Sequence, residues 1–226
     1  MLKIISLNQR STIVKKIILT ISLLFSVLLS NAQFLNSIGV TLGGTAANQK
    51  FKFREPVSID RKKYVFGFNA SVFGEFLSHD YIRWVTEIQY NQKGSIDPQP
   101  EANYPNRLQY LSWNNYAKVR YEMYSIIPYV MVGPRLDYNL TQSTSSPTIT
   151  GKFIPLHVSA AVGGGLEFVS YTNFKFFVEG FYNPDIMPAY ISSPLFVDNK
   201  AFELRVGLKY EFAGKKESCN TPIYVE

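Results

Sequence analysis

Three groups of residues have types and spacings that could do chemistry. In His157-Val158-Ser159 an imidazole and a hydroxyl lie two residues apart, so on an extended chain both project from one face, with Glu167 farther along the same face. A base beside a hydroxyl can activate it as a nucleophile, and a carboxylate can orient the base. His79 and Asp80 are adjacent metal-ligating types, and Gly163-Gly164-Gly165 has the composition of a phosphate-binding loop. Each has a plainer explanation. His and Ser are common types that pair inside proteins as packed, hydrogen-bonded neighbours, and Ser78-His79-Asp80 reads as a solvated turn. No helix pattern and no Lys-Ser/Thr pair follow the glycines, which leaves curvature or close side-chain packing. From sequence, therefore, no residue is assigned as catalytic, cofactor-binding or metal-ligating, and no cofactor is implied.

The elements that would position these groups are strands. Phe202, Leu204, Val206, Leu208, Tyr210 and Phe212 alternate with Glu203, Arg205, Gly207, Lys209 and Glu211, the two-residue period of an extended chain. The same division recurs in seven earlier segments: Ser37 to Ala47, Tyr64 to Leu77, Tyr81 to Lys93, Arg107 to Glu122, Ile126 to Leu140, Phe153 to Ser170 and Asn173 to Tyr182. Pro128 and Pro134 interrupt the fifth segment and predict bulges or bends there, because proline cannot donate to a ladder. An apolar face in alternation fits either a soluble sheet with a core or a lipid-facing barrel with a polar interior.

Connections favour the barrel. Asn48 to Lys63, Gly94 to Asn106, Thr141 to Lys152 and Asn183 to Lys200 are long and polar, while Ser78-His79-Asp80, Met123-Tyr124 and Tyr171-Thr172 are tight. Alternation of long and short is the habit of outer-membrane barrels, with short periplasmic turns and longer outer loops. Composition agrees: 15% aromatic and 18% charged residues suit a chain whose apolar and polar faces interleave. The expected fold is all-β, an eight-stranded antiparallel transmembrane β-barrel.

Lys15 and Lys16 precede an apolar run from Ile17 to Leu29, and Ser30-Asn31-Ala32 offers small residues for cleavage. The run is shorter than the roughly 20 residues a spanning helix needs. Residues 1–32 read as a signal peptide, 33–213 as the barrel domain and 214–226 as a periplasmic C-terminal tail. Lys3, Arg10, Lys15 and Lys16 carry four of the six net positive charges away with the leader, so nucleic acid is not an expected partner. Cys219, the one cysteine, falls in the tail and reads as a free thiol, and Gln33 after the leader gives no site for lipid attachment.

An eight-stranded barrel is just wide enough for side chains to fill its interior. Alternation turns Glu75, Glu87, Glu122, Asp137, Glu167, Glu179, Glu203 and Glu211 inward, opposed by Arg83, Lys118, Arg120, Arg135, Lys175, Arg205 and Lys209. Near balance of the two signs predicts an ion-paired plug and no general pore.

The chain resembles the PorT-like family of small outer-membrane β-barrel proteins. The likeness rests on Tyr110 to Tyr121, on Pro128-Tyr129-Val130-Met131-Val132-Gly133-Pro134, on Val162-Gly163-Gly164-Gly165-Leu166-Glu167-Phe168 and on Gly207-Leu208-Lys209-Tyr210-Glu211-Phe212. It implies location in the outer membrane of a Gram-negative bacterium, and for some members an association with protein secretion or gliding machinery. The closing strand resembles the signal by which barrel-insertion machinery recognises its clients, although here Ala213 to Glu226 continue past it.

The expected role is a non-enzymatic one in the envelope. Outer-membrane lipid surrounds the barrel, and Tyr104, Pro105, Met187, Pro188 and Tyr190 in the outer loops offer contacts to an envelope protein or glycan, or pack across the barrel mouth. Two alternatives stand beside it. One is a lipid-modifying ester hydrolase using Ser159 and His157, whose spacing is similar to that in outer-membrane lipid A deacylases. The other is a soluble eight-stranded ligand carrier.

Overall fold

The computed structural model describes residues 35–53, 58–59, 63–77, 79–98, 103–145, 151–170, 172–192 and 195–212. The expected signal peptide, the expected tail and Cys219 lie outside the described residues. In chain order the strands are β1 (Leu35–Phe53), β2 (Ser58–Ile59), β3 (Val65–Phe76), β4 (Ile82–Pro98), β5 (Asn103–Arg120), β6 (Ile126–Thr144), β7 (Leu156–Phe168), β8 (Phe174–Pro184), β9 (Tyr190–Ser192) and β10 (Leu195–Glu211).

β1 pairs with β3, each long strand from β3 to β8 pairs antiparallel with the next, and β8 pairs with β10. β10 then returns to β1 in an unbroken register from Ser37↔Glu211 to Phe53↔Leu195. The sheet is thus a closed eight-stranded barrel. β2 and β9 continue the wall beyond β3 and β8, pairing with the ends of β1 and β10. Within the ring of eight long strands each strand has a neighbour on both sides, which bonds the backbone internally, the condition for strands to cross hydrocarbon.

Alternation sorts the side chains as their chemistry requires. Ile38, Val40, Leu42, Phe66, Phe68, Val72, Ile88, Trp113, Val119, Val130, Val132, Leu204 and Val206 are exposed on the outside, while Glu87, Lys118, Arg120, Arg135, Asp137 and Arg205 are buried within. A soluble carrier requires the reverse, so that alternative fails.

The strands are longer than the alternating segments suggest, and the wall runs well beyond the bilayer. β1 and β6 have 19 residues and β4 and β10 have 17, against the roughly 9–11 that cross a membrane. At their outer ends the chemistry of the two faces inverts with no change of parity. On β10, Phe202, Leu204 and Val206 face out, yet Leu195 and Val197 face in, opposite to Asp198 and Lys200. On β1, Ile38 and Val40 face out whereas Phe51 is buried between Lys50 and Lys52. Above the lipid the wall meets water, so apolar residues turn inward as they do in a soluble sheet. This extension consumes much of the predicted long loops. β4 pairs with β5 up to Pro98↔Asn103, so Tyr104 and Pro105 belong to a strand.

Pro128 and Pro134 do not produce the predicted bulges. The β6–β7 ladder runs through both, at Pro128↔Leu166 and Pro134↔Ala160, with no register shift. The missing N–H shows only on the β5 side, where pairing skips Asn115 and Tyr116 opposite Gly133-Pro134. The register shift on this ladder lies farther out, where Tyr110↔Asn139 gives way to Gln109↔Thr141. Gly163 and Gly165 serve close packing. A Cβ on Gly163 would lie 2.5 Å from the Phe181 ring, and one on Gly165 would lie 2.6 Å from the Tyr129 hydroxyl.

Candidate functional site

The lumen is filled in layers. At the end with the short turns, Glu75 accepts from Arg83 (3.0 Å), Lys209 (3.2 Å) and Lys118. Lys209 and Lys118 also hold Glu167, and Glu211 closes the rim with Lys175 at 2.8 Å. Glu122, expected inside, is at this rim instead. β5 ends at Arg120, so the Glu122 side chain is 45% exposed and reaches back to Arg120 at 2.9 Å.

Next comes a band of rings and aliphatic groups: Phe73, Val85, Tyr116, Tyr129, Met131, Ala161 and Phe181. Arg205 sits in this band, bonded to Glu87 at 2.9 Å and Glu179 at 2.8 Å, its guanidinium 4.2 Å from the centre of the Phe181 ring. A cavity of about 20 Å³ remains here, lined by Phe73, Glu87, Tyr116 and Arg205 among others. That is room for roughly one water molecule. Removing two charges from water is costly, and here nearly every charge meets several partners, which is how a buried ion-pair layer becomes tolerable.

The third layer holds the residues of the His-x-Ser pair. Asp137 of β6 accepts from Arg135 Nε (2.8 Å), Lys93 Nζ (2.9 Å), Ser159 Oγ (2.6 Å) and Ser112 Oγ. Arg135 continues to Glu203, which also accepts from Gln89, Asn91 and Asn183. His157 and Ser159 do share one face of β7. Ser159, however, donates to Asp137, and His157 Nε2 stands 3.4 Å from Asp185 Oδ1 and 3.7 Å from Asp137 Oδ2. Glu167 belongs to the first layer with Lys118 and Lys209, so it does not join them. Outermost, Phe51, Leu108, Tyr110, Phe153, Ala189, Tyr190, Leu195 and Val197 close the mouth as an apolar cluster inside the projecting wall.

Apolar alternation alone predicts a loop over 183–200 and so does not point to Asp185. A signal was available: Glu179, Phe181, Asn183 and Asp185 share one parity, and three of these four are buried inward. Asp185 follows directly from β8, where its NH donates to the Asn199 carbonyl at 3.0 Å and its Oδ2 accepts from Asn199 Nδ2 at 2.9 Å. Lys93, at the end of its predicted strand, is a further buried interior charge beyond the predicted set. His79 lies at the exposed turn before β4, where its Nδ1 accepts from the Tyr81 NH at 3.3 Å.

A closed barrel with an apolar belt outside and an ion-paired, ring-packed interior defines a small transmembrane β-barrel. Residues 31–188 match the outer membrane protein beta-barrel domain, and the chain belongs to that family. It is a protein of the Gram-negative outer membrane. No curated protein matches the sequence. Among solved structures, OprG from Pseudomonas aeruginosa is similar with a TM-score of 0.56 at 10% identity, covering 80% of this chain and 98% of that one. Neisserial surface protein A has a TM-score of 0.46 at 14% identity, covering 77% and 97%. Ail of Yersinia pestis, in complex with sucrose octasulfate, has a TM-score of 0.41 at 16% identity, covering 77% and 99%. At such identities the likeness is one of fold.

Proposed function

We propose that this is a non-enzymatic outer-membrane protein of the PorT-like kind, which acts through the surface of its outer end as an interaction module of the cell envelope. The observation that carries this reading is the lumen, occupied from rim to rim by ion pairs and two apolar layers, which leaves the projecting wall and its connections as the working surface. Ile186, Met187 and Ile191 stay exposed there, whereas Tyr190 is buried against Phe153. A rigid barrel supporting variable loops is a common way to present such contacts. On this reading the partner is an envelope protein or glycan, and the PorT-like resemblance makes secretion or gliding machinery the first place to look.

Crosslinked capture from envelopes tests it. Changing the exposed Ile186, Met187 and Ile191 together to serine should abolish specific partners while the barrel still shows heat-modifiable mobility. Partners that survive this change would sink the assignment of the surface. Ser159→Ala separates the hydrolase alternative, since it would abolish ester cleavage and leave capture intact.

A further inference from the structure

We propose that Asp137, His157 and Asp185 form a binding site for a divalent transition-metal ion of the zinc class, which ties β6, β7 and the chain leaving β8 together beneath the outer apolar cluster. One donor atom from each residue lies within 4.8 Å of the other two, and all three side chains are sealed from solvent. Carboxylates gathered inside a barrel are commonplace, so the histidine decides the matter. His157 is 1% exposed, and neither ring nitrogen makes a hydrogen bond; Asp185 Oδ1, facing Nε2, makes none either. Buried polar atoms are nearly always satisfied, and two orphans facing one another, His157 Nε2 and Asp185 Oδ1, mark a missing partner between them.

The spacing says what that partner is. At 3.4 and 3.7 Å, Nε2 is too far from the two carboxylate oxygens for good hydrogen bonds. Tetrahedral ligands at roughly 2.0–2.1 Å from zinc lie about 3.3–3.4 Å apart, so the 3.4 Å separation is that of a ligand edge around an ion and the 3.7 Å one is slightly longer. An imidazole with two carboxylates is a donor set for zinc and its neighbours in the first transition row, with an open position for water. Tyr110 packs edge-on to the imidazole with ring centroids 5.3 Å apart, and Ser159 holds Asp137 at Oδ2, so two ligands are oriented by neighbours. Lys93 competes for the same Oδ2 at 2.9 Å, and the ion displaces it.

The test uses the untagged full-length chain refolded in detergent, stripped with chelator and titrated with Zn²⁺ by calorimetry and with Co²⁺ by visible absorption. The expected result is one ion per chain with a tetrahedral Co²⁺ spectrum. Affinity falls by at least about tenfold in His157→Ala and Asp185→Asn, since losing even an outer partner of a ligand costs that much. It rises in Lys93→Gln and is unchanged in His79→Ala. Ring-nitrogen NMR of the wild type gives a second reading that needs no variant: with two histidines in the chain, only the buried one should shift with Zn²⁺. No saturable binding, binding that survives both ligand changes, or a shift confined to His79 would overturn the proposal.

Discussion

Arg205 and Glu87 meet across the lumen, Nη1 to Oε1 at 2.9 Å, from strands that are not neighbours in the wall and positions 118 residues apart in the chain. Arg205 holds Glu179 with its other nitrogen, so one guanidinium neutralises carboxylates on β4 and β8. Arg205→Met should therefore destabilise the barrel by about 3–5 kcal/mol, the cost of stranding a buried charge. Adding Glu87→Gln and Glu179→Gln should recover part of that loss. Urea unfolding followed by heat-modifiable mobility measures both, and equal stability of the single and triple variants would show that the pairing carries no weight.

Close packing of rings on glycine makes the second prediction. A Cβ at Gly207 would lie 2.1 Å from the Phe177 ring, whereas one at Gly44 meets nothing within 4 Å. Gly207→Ala should cost about 1–3 kcal/mol through overpacking. Gly44→Ala should leave the unfolding midpoint near that of the wild type. Equal effects at the two positions would contradict the packing described.

The outer belt sets the third. Val206 is 45% exposed in the middle of the apolar run of β10. Val206→Arg should cost about 2–4 kcal/mol in lipid, as an arginine does at the bilayer midplane. Asp198→Arg, which also points outward but above the apolar run, should cost less, and chiefly through loss of its ion pair with Lys52. Folding yields in vesicles across a urea series distinguish them, and indifference at Val206 would place the membrane elsewhere.

Conductance is the fourth. With ion pairs, a ring layer and an apolar mouth in series, the purified barrel should show no steady current in planar bilayers. Charge reversal by Arg135→Glu, which sets a third carboxylate beside Asp137 and Glu203, should lower folding yield without producing an open channel. Sustained multi-ion conductance by the wild type would refute the plug.

Strand number, the antiparallel order of the barrel and the facing of its central residues are legible in the sequence, because lipid outside and polar groups inside impose a two-residue period that survives in any one segment. The charged interior at Glu75, Glu87, Arg135 and Arg205 follows from that period alone. Beyond the membrane the rule changes sign. Leu195, Val197 and Phe51 turn inward while lysines turn out, so a search for one apolar face stops early and calls the remainder loop. The wall's extension is therefore decided by the closed sheet, whose ladders continue wherever backbone partners are available. Which ions pair is likewise a tertiary matter: parity shows that Ser159, His157 and Glu167 face inward, but stagger between strands sends Glu167 to Lys118 and Lys209 and brings Asp185 to His157. A one-dimensional period specifies a face; only the curvature and register of the closed barrel specify the neighbour across it.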